Sequence, residues 1–360
     1  RGGEQCNAGR DPCCYLKQGR CLEMIVSVGF PTGMEGLTYP IPFSEPSALL
    51  AIAKQAETLG YHSIWGNDHM TTQNYVRTEF GRPPRFWEIL TTYAWLAGQT
   101  STLRFGTGIL VLPMRRDIVV TSKQLVTLDH LSGGRLELGV GVGAYREEFE
   151  ALYPDNKSHR GNIVEEGVRA LKLLFREDRA SFDGDFYQFR DVELFPKPLQ
   201  DKLPIYFGGN NINQLRRTAQ LGDGWLPAGL PLDRITADIV QLRLLCEGEG
   251  RDFADIAVAP QYIAMVDLDH DRAVERFQNS QMHKHLISLT RSTLKEQAGI
   301  SMVDANLVGT PGEVVEKALA LKAAGVTHFL GLYFAVNTVD ELLDQMTLFA
   351  EEVVPHLDPA

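Results

Sequence analysis

From residue 25 onward, short apolar runs alternate with amphipathic stretches, and that alternation confines the chain to few folds. The run IVSVGFP at 25–31 reads as a strand. Residues 44–60 read as a helix, with Ser44 as N-cap and Gly60 just past its end. Leu49, Ile52, Ala53, Ala56 and Leu59 fall on one face of it. Further strands are predicted at 62–68, 103–113, 135–142, 203–208, 224–226, 256–266 and 328–334. Helices are predicted at 86–99, 118–131, 162–175, 212–221, 232–246, 272 to about 293, 311–324 and 339–357. The segment ASFDGDFYQFRDVELF at 180–195 departs from the rhythm and reads as a hairpin around Asp183-Gly184.

Strands that are apolar almost throughout are parallel and covered on both faces. About eight of them favour an α/β fold, a (β/α)8 TIM barrel with insertions, including the hairpin near 180–195. An open doubly wound sheet is the alternative. A plain barrel needs about 250 residues. The 360 residues here leave room for insertions, and no composition break marks a second catalytic domain.

The cysteines divide the chain. Cys6, Cys13, Cys14 and Cys21 precede Met24, and Cys246 alone lies beyond it. Residues 1–23 therefore read as a cysteine-rich leader outside a catalytic domain at 24–360; two disulfides or a metal site are the other readings of the four thiols. The leader has no apolar core of a secretory signal. The cysteine-poor body reads as cytoplasmic. A net charge of −11 argues against a nucleic-acid-binding face. No apolar run approaches the length of a membrane span.

In a barrel, chemistry sits where strands end. The second strand ends in Trp65-Gly66-Asn67-Asp68-His69. An imidazole beside a carboxylate suits proton transfer, so Asp68 and His69 are the candidate catalytic residues; a loop-capping Asp68 and a solvated His69 are the plain alternative. Gly106 and Gly108 interrupt the third strand, and Gly139, Gly141 and Gly143 the fourth. Missing side chains there leave room for a flat ligand or for tight packing. Gly139, Gly141 and Ala144 meet the alanine variant of the dinucleotide fingerprint, but that reading is disfavoured because the strand is the fourth and not the first. Tyr206-Phe207-Gly208-Gly209-Asn210-Asn211 opens a helix and is the candidate anion site, with Arg216 and Arg217 beyond it as possible surface residues. His283 and His285, two apart on a probable helix, point to different faces and do not read as a metal site, so no metal is assigned.

These stretches occur in a familiar order: SIWGNDH, LRFGTGILVLPMRRDIVV, KQLVTLDHLSGGRLELGVGVGAYREEFEALYP, SFDGDFYQF and PIYFGGNNINQLRRTAQLGDGWLPAG. From residue 25 to about 357 the chain resembles the luciferase-like monooxygenase superfamily of flavin- and F420-dependent oxidoreductases. The resemblance implies a tricyclic cofactor, F420 or FMN, in the barrel mouth. It implies a cis peptide at Gly108-Ile109 beneath the ring, with Leu110 and Val111 alongside. It places the cofactor phosphate at Gly208, Gly209 and Asn210, the ribityl part near Gly141 and Gly143, and Asp68 and His69 towards the reactive ring, with Trp65 packed nearby or in the core. The single Asp68-His69 pair looks more like the F420 branch, and Ala144 departs from the acid found in its sugar-phosphate members. The expected function is F420-dependent hydride transfer on a small organic substrate. An FMNH2-dependent two-component monooxygenase is the alternative, and a non-catalytic flavin-binding barrel a third reading. A barrel isomerase or aldolase lacks the strand-end lysine or paired acids it needs. The resemblance also implies a separate reductase partner and a homodimer. The 71–85 loop would cover the pocket.

Overall fold

The computed structural model describes residues 23–289 and 299–358; the four leader cysteines and residues 290–298, where the helix from 272 and an unassigned stretch were expected to meet, lie outside them. In chain order the elements are β1 (Ile25–Phe30), α1 (Pro46–Thr58), β2 (Ser63–Gly66), α2 (Asn74–Glu79), α3 (Ile89–Ala97), β3 (Arg104–Thr107), β4 (Leu110–Val111) and α4 (Ile118–Leu131). Next come β5 (Leu136–Gly141), α5 (Arg146–Leu152), α6 (Arg160–Arg176), β6 (Ala180–Asp183), β7 (Gln188–Val192), β8 (Ile205–Gly208), α7 (Ile212–Leu221), β9 (Gly224–Leu226) and α8 (Leu232–Gly248). The chain continues through β10 (Ala257–Val258), β11 (Ile263–Val266), α9 (His270–Gln278), α10 (Gln281–Leu289), β12 (Leu307–Gly309), α11 (Pro311–Ala324), β13 (His328–Phe334) and α12 (Val339–Glu352).

The architecture is α/β. Ten strands pair in the order β10-β9-β8-β5-β3-β2-β1-β13-β11-β12, with β4 added beside β5. Every pairing in this sheet is parallel. All its strands therefore deliver their C-terminal ends to one side, called the mouth below. The hairpin β6–β7 stands apart, as the sequence predicted. Its turn is held by the Glu166 carboxylate, which accepts from the backbone N–H groups of Asp185, Phe186 and Tyr187.

Two predicted strands break in the middle. The run 103–113 divides into β3 and β4, and 256–266 into β10 and β11. At the second break Gln261 N donates to Pro227 O, and Thr327 N donates to Val258 O at 2.9 Å, tying β10 to the approach of β13. Helices also depart from expectation. α1 starts at Pro46 after Glu45, while Ser44 Oγ donates to the Pro31 carbonyl instead of capping. The 272–293 helix starts earlier and breaks at Asn279 into α9 and α10. The 71–85 loop contains α2, and α5 follows β5 where no helix was assigned.

Most of the core lies between sheet and helices. A second cluster, Trp65, Tyr206, Leu226, Ala259 and Leu330, fills the concave side of the sheet. Trp65 is fully buried there; its indole N–H donates to Ser63 Oγ at 2.8 Å. Glycines make that possible: a Cβ at Gly106 would lie 2.1 Å from the Trp65 ring, and one at Gly139 2.1 Å from the Thr107 carbonyl oxygen. Tyr93 of α3 sets the height of the mouth. Its hydroxyl accepts from Gly66 N at 2.6 Å and donates to Gly106 O at 2.7 Å, bridging β2 and β3.

The Gly139 contact is with backbone, which cannot swing aside. We expect Gly139→Ala to destabilise by about 1–3 kcal/mol in urea unfolding. Gly81→Ala, exposed and with nothing within 4 Å of the new Cβ, changes stability by no more than about 0.5 kcal/mol. Equal stability of the two variants would contradict the packing described.

Candidate active site at the strand mouth

Asp68 and His69 leave the end of β2 in opposite directions. Asp68 is buried. Its Oδ2 accepts from Val111 N at 3.0 Å and Arg115 Nε at 3.1 Å, and its Oδ1 from Arg115 Nη2 at 2.8 Å. Arg115 Nη2 reaches Glu88 as well, at 2.9 Å. Burial opposes the Arg115 charge, yet the two carboxylates outweigh it and hold the guanidinium above its ordinary range. Both Asp68 oxygens are thus engaged in tying β2 to β4 and the segment after it.

The carboxylate that holds the imidazole is another one. His69 Nδ1 lies 2.7 Å from Glu148 Oε1 on α5, and Gln73 Nε2 lies 3.1 Å from the same Nδ1. Glu148 also accepts from the Gln73 amide and from Met70 N at 3.1 Å. Burial alone would raise its carboxyl; hydrogen bonds from His69, Gln73 and Met70 outweigh this and leave it below the usual carboxylate value. The ring sits between Phe86 and Tyr145, at centroid distances of 5.4 and 6.0 Å. Its Nε2 makes no hydrogen bond among the described residues. A carboxylate on one nitrogen and an available second nitrogen is the geometry of a general acid–base. Glu148 stood in the quoted GVGAYREEF stretch, but nothing in that pattern singled it out from Glu147.

The Gly108-Ile109 peptide is cis, where the resemblance put it. Gly108 N donates to Gly66 O at 2.7 Å. The glycines expected near the cofactor have an immediate packing reason. A Cβ at Gly141 would lie 2.3 Å from Ile109 Cδ1, one at Gly208 2.6 Å from Ile109 Cγ2, and one at Gly143 3.0 Å from Val111 Cγ1. Gln261 stands beside them: its Nε2 is buried without a partner, 2.7 Å from where a Gly108 Cβ would be.

The turn after β8 is partly exposed and lies at the mouth end with His69, as an anion site requires. Gly209, with φ +124°, donates its N–H to Leu226 O, and Asn210 Oδ1 accepts from Ala228 N. Asn211 caps α7, accepting from Asn213 N and Gln214 N. The backbone N–H groups of Asn210, Asn211 and Ile212 make no hydrogen bond among the described residues. Arg216 is a surface residue, but Arg217 is not: it is 7% exposed, and burial lowers its pKa. Its Nη2 lies 2.6 Å from a Cβ position at Gly161, against the first turn of α6, and Glu165 stays 3.6 Å from its Nε. That Nε has no hydrogen-bond partner. α6 starts without a side-chain cap and without an acidic first turn. Arg160 covers the carbonyls of Val142 and Gly143.

The buried polar atoms without partners gather here. Thr38 Oγ1, Tyr39 OH, Gln73 Oε1, Trp87 Nε1, Tyr145 OH and Gln261 Nε2 all belong to segments that follow strand ends. Buried polar groups are satisfied in folded proteins, so a cluster of unsatisfied ones marks a place for a ligand. A cleft of about 490 Å³ elsewhere, lined by Tyr262, Asn306 and Lys317, includes none of them, and its Lys317 ammonium is held by three carbonyls. His283 packs on Phe277 and His285 on Tyr75, so the two imidazoles have separate surroundings. Among the described residues no helix is long and apolar enough to cross a membrane.

Comparisons with known proteins bear on the family and the fold. The luciferase-like monooxygenase family matches residues 24–328. The F420-dependent glucose-6-phosphate dehydrogenase of Kineococcus radiotolerans is 28% identical over 331 residues, covering 87% of this chain and 94% of that protein. The FMNH2-dependent dimethylsulfone monooxygenase of Pseudomonas putida is 29% identical over 270 residues, covering 68% and 72%. An F420-dependent secondary alcohol dehydrogenase solved with an F420-acetone adduct shares the fold, with a TM-score of 0.75 at 19% identity over 94% of this chain and all of that one. The oxygenating constituent of 3,6-diketocamphane monooxygenase from Pseudomonas putida, solved with FMN, does so at 0.72 and 18%, over 94% and 100%. The chain belongs to the luciferase-like monooxygenase family, whose members are flavin- or F420-dependent oxidoreductases.

Proposed function

We propose that this protein is an F420-dependent oxidoreductase that transfers a hydride to or from a small organic substrate, with His69 as its acid–base group. The observation that carries the reading is the His69–Glu148 pair with Nε2 left available. Bound F420 supplies a hydride acceptor or donor. His69 Nε2 accepts or returns the proton that accompanies the hydride, and Glu148 fixes the ring and stabilises its charged form. Asp68 acts as a positioning residue, holding Val111 and Arg115 in place.

In this reading the sheet is a closed (β/α)8 barrel in which β3 with β4, and β10 with β11, each make one interrupted strand. The bond from Thr327 N to Val258 O supports closure. The ring lies over Gly108, Ile109, Leu110 and Val111, where the Gln261 amide has a free donor. The ribityl part passes Gly141 and Gly143. The phosphate meets Gly208, Gly209 and Asn210, between the starts of α6 and α7, with Arg217 as its buried cation. The free backbone N–H groups and the guanidinium are the donors that an anion needs. The dimethylsulfone monooxygenase relative favours a second reading, an FMNH2-dependent monooxygenase fed by a separate reductase. The non-catalytic reading is disfavoured by the paired His69.

Fluorescence titration with F420, FMN and riboflavin separates these. F420 should bind more tightly than FMN; the reverse order would replace the first reading by the second. We expect Arg217→Met to weaken the phosphate-bearing cofactors about 10- to 100-fold, as for a lost charged hydrogen bond, and to leave riboflavin unchanged. Equal losses for FMN and riboflavin would remove Arg217 from the phosphate site.

His69→Gln should lower turnover about 100-fold or more, with the cofactor dissociation constant kept within about twofold. Glu148→Gln should lower turnover too. Glu148 has a depressed pKa in the folded protein, so its ionisation stabilises the fold above the ordinary glutamate range, and that part is lost as pH falls through the depressed value. The stability gap between the native protein and Glu148→Gln should therefore narrow on acidification from pH about 5 downward. A gap that widens would mean that the carboxyl is protonated in the native site.

A further inference from the structure

The groups around His69 say what kind of substrate fits. The buried charges there already have opposite partners, and the Glu147 carboxylate is held by Asn74. Asp68 and Glu88 share Arg115, and Glu148 is held on His69. Arg146, next to Tyr145, is paired with Glu150. His285, close enough to feel the His69 charge, is pulled down to about 3 by burial and so is neutral. Arg160 and Arg217 lie on the phosphate side, against the Val142 and Gly143 carbonyls and against Gly161.

Apart from Arg217 Nε on the phosphate side and Glu137 Oε2 on β5, the unpartnered buried atoms belong to uncharged groups. Two of them neighbour His69: Gln73, whose Oε1 has no partner although its Nε2 lies 3.1 Å from His69 Nδ1, and Tyr145, whose ring is 6.0 Å from the imidazole and whose buried hydroxyl has no partner. Burial holds that phenol well above its ordinary pKa, with Tyr75, Glu148 and Glu147 adding to the effect. It is a neutral hydroxyl that both donates and accepts. On the other side of the ring are Phe86 and the Cα of Gly33, where a Cβ would lie 3.0 Å from His69 Cδ2. An anion placed here meets the Glu148 charge, while Arg115 and Arg146 are already paired with carboxylates.

We propose that the pocket beside His69 takes an uncharged organic substrate carrying a hydrogen-bonding oxygen, and that the Tyr145 hydroxyl is its specificity contact. The proposal rests on the reading that His69 faces the reacting centre, and it holds for either cofactor. It separates this chain from a sugar-phosphate substrate, the one named for its Kineococcus relative.

The test is equilibrium binding to the holoenzyme, loaded with whichever of F420 or FMN binds, and read from the cofactor's absorbance. The probes are matched pairs, glucose with glucose 6-phosphate and glycerol with glycerol 3-phosphate, together with 2-propanol, cyclohexanol and cyclohexanone. We expect at least one uncharged probe to perturb the spectrum, and each phosphate ester to bind at least tenfold more weakly than its parent. Tyr145→Phe should weaken the uncharged probes about 3- to 10-fold, the loss of one neutral hydrogen bond. Its cofactor affinity should not change, which a general loosening of the fold would alter. A phosphate ester that binds as well as its parent overturns the proposal. So does an unaltered response in Tyr145→Phe, or silence from every uncharged probe. Failure of the wild-type protein to bind either cofactor is a different result, which overturns the cofactor reading and this inference with it.

Discussion

The mouth of this sheet depends on one interlock: the Ile109 side chain stands where Gly141 and Gly208 carry none. β4 is only two residues long, and alone it would have little to hold it beside β5. With Ile109 seated over β5 and β8, and Val111 over Gly143, the segment lies flat across three strand ends. Asp68 secures the other edge through Val111 N and Arg115. A side chain at either glycine would push Ile109 out, because interiors packed to crystalline density have no slack at contacts of this length. The surface offered to a planar ring is therefore built by packing first and by polar contacts second.

Charge is distributed on that platform with a clear division. Near His69 the ionised groups neutralise one another, and the groups left over are hydroxyl, amide and indole. Some distance round the mouth, Arg217 is kept buried with an incomplete set of partners, between two helix starts. Its one carboxylate neighbour, Glu165, stays 3.6 Å away, so a buried guanidinium there gains from a closer anion. The N-terminus of α6, which has no side-chain cap, favours the same sign of ligand. The two regions thus ask for different parts of the bound molecules: one for a phosphate, the other for uncharged polar atoms.

Much of this was legible beforehand, and the failures have physical causes. α7, β9 and α11 fall on the predicted residues, because each is bounded by glycine, proline or a capping side chain, and β13 does so as one uninterrupted apolar run. The 103–113 and 256–266 runs do not, since an apolar extended segment looks the same whether it stays in one ladder or steps to another. The Asp68-His69 pair misled for a simpler reason. Successive residues of an extended chain point to opposite sides, so neighbours in sequence are poor candidates for partners in space. The imidazole's carboxylate came instead from a helix 79 positions later. Arg216 and Arg217 show the helical version: one step of 100° separates a solvated side chain from a buried one. Glycine spacing showed where side chains were missing; it could not show that Ile109, rather than a ligand, fills the space.

That last point bears on how cofactor type and substrate type become separable. Because the glycines serve the protein's own packing, the platform tolerates any flat tricycle of the right size and does little to choose between flavin and deazaflavin. In the proposed function the choice between them then falls to the edge of the ring and to the anionic tail, which that reading places at Gln261 and Arg217. The loops after β1, β2 and β5 supply Tyr39, Trp87 and Tyr145, side chains that stand outside the contact of Ile109 with Gly141 and Gly208, and in the proposed function the choice of substrate falls to them. Loops can vary in these side chains without disturbing strand packing. Relatives near 28% identity can therefore share the sheet and the tail site while differing in what they oxidise or oxygenate.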